Sequence, residues 1–257
     1  MKPHAALHLD RARADSFGAA ARVYDACRPR YPAELIDDLM MQGARTVLDV
    51  GAGTGIASEQ LLARGANVLA VEPDPRMAEV ARGKGVPIEI ATFENWHPAE
   101  RCFDLVVFGQ SFHWVNPDIA LPKVHRLLPN GGRLALMWNR LVPTHPTQRD
   151  LAGIYRDYMD PGSPLVDGSS NGLDVEHRTD GLIASIAASG FTVEERTYPR
   201  DAHYSTAQWL DLAFTYSNHL VLAAEKASEL RSKLAERIGS KGVSVGGDAL
   251  LILATRS

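Results

Sequence analysis

Three glycines at alternate positions, Gly51, Gly53 and Gly55, separate the apolar run "VLDV" from the helix-like run "IASEQLLARG". Without side chains they let a ligand approach the backbone, and the following helix aims its free N–H groups at the same place, which suits a nucleotide-like ligand. Their spacing narrows the choice. A dinucleotide turn reads GxGxxG and needs glycine at position 56, where this chain has Ile, so the third glycine arrives one residue early. Asp49, two residues before Gly51, sets a carboxylate against the turn. Such a charge repels a pyrophosphate and attracts an ammonium group, directly or through water. Glu72 ends the second apolar run 21 residues after Gly51, the reach at which an acid accepts both hydroxyls of a ribose without a 2′-phosphate. Turn chemistry alone accounts for the glycines but not for these two acids.

Other residues sit where chemistry is done. His113 and Trp114, in "QSFHWV", follow an apolar run ending in Gly109 and Gln110. A histidine there is a general base or, on the preferred reading, part of a substrate pocket. Trp138 and Asn139 end the run "RLALMWN", at the carboxyl edge of a sheet where open α/β folds bind ligands. His145, Tyr155, Tyr158, Tyr216 and His219 fall in segments expected to roof that edge, and they are suggestive only as a group.

The elements that must position them follow from periodicity. "RTVLDV", "NVLAVE", "PIEIA", "FDLVVFG" and "RLALMWN" read as strands, with "ASEQLLARG" and "PRMAEVARGKG" as crossover helices between them. "DIALPKVHRLLPNGG" reads as the helix before the fifth strand, provided Pro122 falls in its first turn. Later, "DGLIASIAASG", "TAQWLDLAFTYSNHLV" and "AEKASELRSKLAERIG" read as helices, and "FTVEERTYPRDAHYS" and "DALLILATR" as strands. "DPGSPLVDGSSNG" and "GSKGVSVGG" read as mobile loops. This alternation predicts an α/β fold: three layers, doubly wound on a seven-stranded, mostly parallel sheet with an antiparallel last strand, plus helical lid insertions.

The 257 residues, 45% of them hydrophobic and 23% charged, are enough for one core with an elaborate lid. A net charge of -4 gives no electrostatic reason to bind nucleic acid or an anionic membrane, so a small-molecule partner is expected. The two cysteines, Cys27 and Cys102, form neither a disulfide framework nor a metal knuckle, and no metal is expected. The N-terminus has no signal-peptide core and no stretch nears ~18 uninterrupted apolar residues, so a cytoplasmic protein is expected. A monomer or homodimer is what the expected fold implies, not something the residues show.

An amino-acid head, a ribose and no pyrophosphate together describe S-adenosylmethionine. The stretch "LDVGAGTG" resembles the first motif of the class I, Rossmann-like S-adenosylmethionine-dependent methyltransferases, an acid followed by GxGxG. Within that class the chain is most similar to the small-molecule branch called methyltransferase type 11, related to trans-aconitate methyltransferases. It shares with that branch an N-terminal Tyr-x(3)-Arg-Pro-x-Tyr-Pro, here Tyr24, Arg28, Pro29, Tyr31 and Pro32, and "QSFHWV". The resemblance implies that the N-terminal segment covers the cofactor, with Tyr24, Arg28 and Arg30 as candidates for its carboxylate. It also implies that Pro73 follows the ribose acid, that Phe93 meets the adenine through its backbone N–H, and that Gly109 and Gln110 position the methionine moiety. Thr92 stands where relatives often have Asp, which leaves the adenine amino contact open.

One domain is implied, in three parts: 1–45 over the cofactor, 46–140 as the cofactor-binding core, and 141–257 completing the sheet. Lid insertions at about 141–178 and 201–240 would form the acceptor pocket, with His113, Trp114, Trp138, Asn139, Tyr216 and His219 against the acceptor. The implied activity is transfer of the sulfonium methyl to a small molecule, a carboxylate or hydroxyl oxygen being favoured, leaving S-adenosylhomocysteine. A non-catalytic S-adenosylmethionine-binding regulator would share the cofactor site, whereas an NAD-dependent oxidoreductase would need Gly at 56 and an apolar residue at 49.

Overall fold

The apolar runs of the sequence become the strands of one mixed sheet. Its strands are β1 Thr46–Val50, β2 Asn67–Glu72, β3 Ile88–Ile90, β4 Leu105–Gly109, β5 Arg133–His145, β6 Phe191–Pro199, β7 Ala202–Tyr204 and β8 Val243–Arg256. The computed structural model describes residues 9–41, 43–161, 163–167 and 175–257. Strand order is β3-β2-β1-β4-β5-β8-β6, with β7 on β8. The pairs among β1 to β5 are parallel, and β8 runs antiparallel to β5, β6 and β7. The seven-stranded path with an antiparallel last strand is the fold the sequence implied, with the three-residue β7 added.

Twelve α-helices surround it: α1 Arg11–Ala14, α2 Ala21–Cys27, α3 Ala33–Met40, α4 Ile56–Leu62, α5 Pro75–Gly83, α6 Pro117–Leu127, α7 Gln148–Tyr155, α8 Pro164–Asp167, α9 Val175–Ala188, α10 Thr206–Ala213, α11 Ser217–Leu220 and α12 Ala224–Ile238, counted among the described residues. Strand alternation sorts side chains to two faces. Leu48 and Val50, Val106 and Phe108, and Leu134, Leu136 and Trp138 pack with α6 and α9 on one face. Val47, Leu105, Val107, Ala135 and Met137 pack with α3 and α4 on the other. A third core, with Leu151, Tyr155, Trp209, Leu212, Leu230 and Leu234, lies among α7, α10 and α12 and reaches the sheet through Leu141, Val243 and Val245.

Four local readings change. Pro122 is the sixth residue of α6 rather than part of its first turn, which Pro117 opens after the Asn116 cap. Burial of Ala120, Leu121, Val124 and Leu127 against the core holds the helix despite the missing backbone donor. "GSKGVSVGG" is not all loop, because Val243 to Gly247 are strand, paired with a β5 that runs on past Asn139 to His145. Gly247 marks a close approach, since a Cβ there would lie 2.0 Å from the Arg140 carbonyl oxygen. "DPGSPLVDGSSNG" contains α8, and its residues 168–172 lie outside the described residues, as do 1–8 of the N-terminal segment and 168–174 of the first lid insertion. Finally, "TAQWLDLAFTYSNHLV" is two helices, α10 and α11, broken at 214–216. No helix among the described residues is long and apolar enough to cross a membrane.

Candidate functional site

Strand order reverses between β1 and β4, and open α/β sheets leave a ligand-binding crevice at the carboxyl ends of the strands beside such a reversal. A cavity of about 1160 Å³ opens there. Its floor is the glycine turn, where Gly51 donates its N–H to the Val71 carbonyl at 2.8 Å and stands at φ 63°. A Cβ on Gly51 would lie 2.6 Å from Ser111 Cβ, so the turn and the end of β4 close up only around glycine.

Both acids of the sequence pattern line this cavity. Asp49 is 1% exposed; its Oδ2 accepts the Ser58 hydroxyl at 2.6 Å, and its Oδ1 has no partner among the described residues. Burial raises its pKa to about 6, against the Ser58 hydrogen bonds. Glu72 is 7% exposed, with Oε2 accepting the Gly53 N–H at 2.8 Å and Oε1 the Asp74 N–H at 2.9 Å. Each oxygen keeps a lone pair for a further donor. Burial raises the Glu72 pKa to about 7, only partly offset by those two N–H groups.

The N-terminal helices close one side. Tyr24, Arg28 and Tyr31 line the cavity. The Arg28 guanidinium lies between two rings, 4.7 Å from the Tyr24 centroid and 3.9 Å from that of Tyr216, and Nη2 donates to the Thr215 carbonyl at 2.9 Å. Its Nε is buried without a partner among the described residues. Arg30 does not join them: its Nη1 donates to the Asp25 carbonyl at 2.9 Å, and its charge faces Asp25 and Glu59. Lys84 ties Asp25 of α2 to the end of α5.

Along the sheet edge Pro73, Thr92, Phe93, Gly109 and Gln110 all line the cavity. Gln110 holds a left-handed backbone at φ 60°, anchored by its N–H to the Met137 carbonyl at 2.9 Å and by Nε2 to the Asn139 carbonyl at 3.2 Å. His113 and Trp114 follow in a 3₁₀ turn, with Trp114 edge-on to Phe17 at 5.8 Å. Asn139 lines the cavity and donates Nδ2 to the Pro29 carbonyl at 3.1 Å. Beyond them α7, α11 and the residues next to them supply Tyr155, Tyr158, Tyr216 and His219. His219 is buried against Phe214 and Tyr155, with ring centroids at 4.8 and 5.6 Å. Burial first, and the Arg28 charge second, lower its pKa to about 3, so it stays neutral.

Three further expected residues lie elsewhere. Trp138 is 8% exposed inside the core on the α6 face, because neighbours on a strand point to opposite sides and Asn139 holds the cavity side. Gly55 caps α4 at φ 77°, where a Cβ would meet Ala81 Cβ at 3.0 Å and Val86 Cγ2 at 3.2 Å, so its smallness serves helix packing rather than ligand contact. His145 ends β5 away from the lining. Tyr31, marked in the sequence only by its place in the Arg-Pro-x-Tyr-Pro stretch, also lines the cavity. Among the described residues no group of His, Cys, Asp or Glu could hold a metal ion.

Residues 48–136, which carry the glycine turn, both acids and the 3₁₀ turn, match a family model described as a methyltransferase domain. This core is a methyltransferase domain. An uncharacterised methyltransferase of Mycobacterium bovis is 45% identical over 127 residues, 48% of this chain and 52% of its own. A trans-aconitate 2-methyltransferase of Methylobacterium radiotolerans is 32% identical over 149 residues, 55% of this chain and 56% of its own. The chain thus spans about half the length of the curated relatives it matches. Among solved structures, a Haemonchus contortus N-methyltransferase in complex with phosphomonomethylethanolamine and S-adenosylhomocysteine shares the fold at a TM-score of 0.54 and 14% identity, over 97% of this chain and 59% of that one. A precorrin-6y C5,15-methyltransferase of Geobacter metallireducens does so at 0.51 and 13%, over 88% and 87%. The match covers most of β1, β2 to β4, α4 to α6 and the first residues of β5, and it ends just before Asn139.

Proposed function

We propose that the chain is an S-adenosylmethionine-dependent methyltransferase acting on a small molecule. The observation that carries this reading is one continuous cavity lined at one end by Asp49, Gly51 and Glu72 and at the other by the lid residues Tyr155, Tyr216 and His219. The residues at the first end fit the cofactor. Glu72 has lone pairs free for the ribose hydroxyls, and the orphaned Asp49 Oδ1 is an acceptor suited to the ammonium group, directly or through water. Arg28, with an unpartnered Nε, suits the carboxylate, next to Tyr24. Pro73, Thr92 and Phe93 would flank the adenosine, and Gly109 and Gln110 the methionine chain.

When bound, S-adenosylmethionine supplies an electrophilic sulfonium methyl. This chain's own part is to hold an acceptor in line with that methyl and to keep water out. Proximity and orientation of this kind contribute on the order of 7–11 kcal/mol in favourable cases, so no dedicated base is required. His113, Trp114, Asn139, Tyr216 and His219 would form the acceptor walls. The favoured acceptor is a carboxylate or hydroxyl oxygen. For a hydroxyl, His113 is the better candidate to take a proton, because burial and the Arg28 charge make His219 too weak a base. The N-terminal segment 1–45 is read as the cofactor cover, and 141–178 with 201–240 as the lid of a single domain. Screening acceptors with isotope-labelled S-adenosylmethionine and scoring products by mass tests the reading. A product shifted by one labelled methyl is expected, and binding of the cofactor with no methylated product across carboxylates, hydroxyls and amines would point to a regulator instead.

A further inference from the structure

Tyr31 stands in the Arg-Pro-x-Tyr-Pro stretch and has no role in the reading above. The fold nevertheless fixes it with care. Gln60, on the helix that opens after the glycine turn, binds its backbone both ways: the Tyr31 N–H donates to Oε1 at 2.9 Å, and Nε2 donates to the Tyr31 carbonyl at 2.8 Å. Its ring is 6% exposed and shares the α3 and α4 core. The side chain lines the cavity, and its Oη makes no hydrogen bond with any described residue. Gly109 leaves room for it, since a Cβ there would lie 2.9 Å from Tyr31 Oη and 3.5 Å from Cζ. The hydroxyl is open to the cavity, so its lone pairs are available to a donor on a ligand.

The hydroxyl therefore hangs over the carboxyl end of β4. That strand pairs in register with β1, Asp49 beside Val107, so the phenol and the orphaned Asp49 oxygen belong to the same corner of the crevice. Burial, then the nearby Tyr24 and the Asp49 carboxylate, hold the phenol well above its usual ionisation range, so it stays neutral. An ammonium group has three donors and no acceptor, and one carboxylate oxygen cannot satisfy it. A neutral oxygen adds an acceptor there without a second charge to repel the carboxylate of an amino acid.

Resting on the cofactor reading, we propose that Tyr31 Oη and Asp49 together accept the α-ammonium group of a bound S-adenosyl ligand. Calorimetric titration of the full chain with three probes tests it: S-adenosylhomocysteine, its decarboxylated analogue, which keeps the amine, and 5′-methylthioadenosine, which has neither group. Tyr31→Phe weakens the first two about tenfold, the scale of one hydrogen bond to a charged group, and leaves the third unchanged. Gly109→Ala, whose methyl displaces the phenol, gives the same pattern in a protein that keeps the ring hydroxyl. Equal losses for all three probes, no loss at all, or a loss confined to S-adenosylhomocysteine would overturn the assignment. A wild-type chain that fails to bind S-adenosylhomocysteine would instead remove the cofactor reading itself.

Discussion

At the scale of single residues, the site holds two carboxylates in a state that costs the empty protein stability. Asp49 and Glu72 have folded pKa values of about 6 and about 7, above their values in an unfolded chain. Each group therefore contributes stability that is present below pH ~4 and lost as the pH rises through the folded value, by up to about 3 kcal/mol apiece for shifts of this size. Asp49→Asn removes one of these penalties. It is expected to raise the thermal midpoint of the ligand-free protein at pH 8 while weakening S-adenosylhomocysteine by tenfold or more. A lowered midpoint in scanning calorimetry would show that the buried charge is compensated in the empty protein. Gly55→Ala is expected to act the other way. It forces a side chain into a left-handed position against Ala81 and Val86, so about 1–3 kcal/mol of stability is lost while S-adenosylhomocysteine affinity in the folded fraction changes less than threefold.

At the scale of elements, α7, α10 and α12, proposed as the lid, have a core of their own, and that separates their contribution from the sheet's. Leu234 is 1% exposed on α12 and packs in that third core, far along the chain from the glycine turn. Leu234→Ala should cost about 2–5 kcal/mol. In steady-state assays it should raise the acceptor KM more than it changes the S-adenosylhomocysteine Kd; an equal change in both would mean that lid and cofactor end move as one unit. The end of the cavity proposed to hold the cofactor could be assembled from the sequence because its residues are local. Asp49, the glycines and Glu72 lie on one strand–turn–helix–strand unit, where spacing fixes geometry. Trp138 misled because two neighbours at a strand end point to opposite faces, and only the packing decides which of them meets the cavity. The break at 214–216 was hidden inside a run of helix formers, yet it brings Tyr216 onto Arg28 and His219 into the cavity wall.

At the scale of the whole molecule, the N-terminal helices, the methyltransferase domain and the lid surround one cavity, through contacts that no local pattern encodes. Arg28 reaches Thr215 across 187 positions, and Asn139 meets Pro29 across 110. Sheet class was readable from the alternation of strands and helices, whereas the strand order was not. Nor were the side chains that cross the crevice. The account stands on the glycine turn and its two acids holding an adenosyl ligand with an unphosphorylated ribose, and calorimetric titration of S-adenosylhomocysteine into the wild-type chain and Glu72→Gln tests that most directly. Saturable one-site binding by the wild type, weakened by tenfold or more in Glu72→Gln and absent for NADH, is the expected result. No heat of binding with S-adenosylhomocysteine, or binding of NADH in its place, would contradict it.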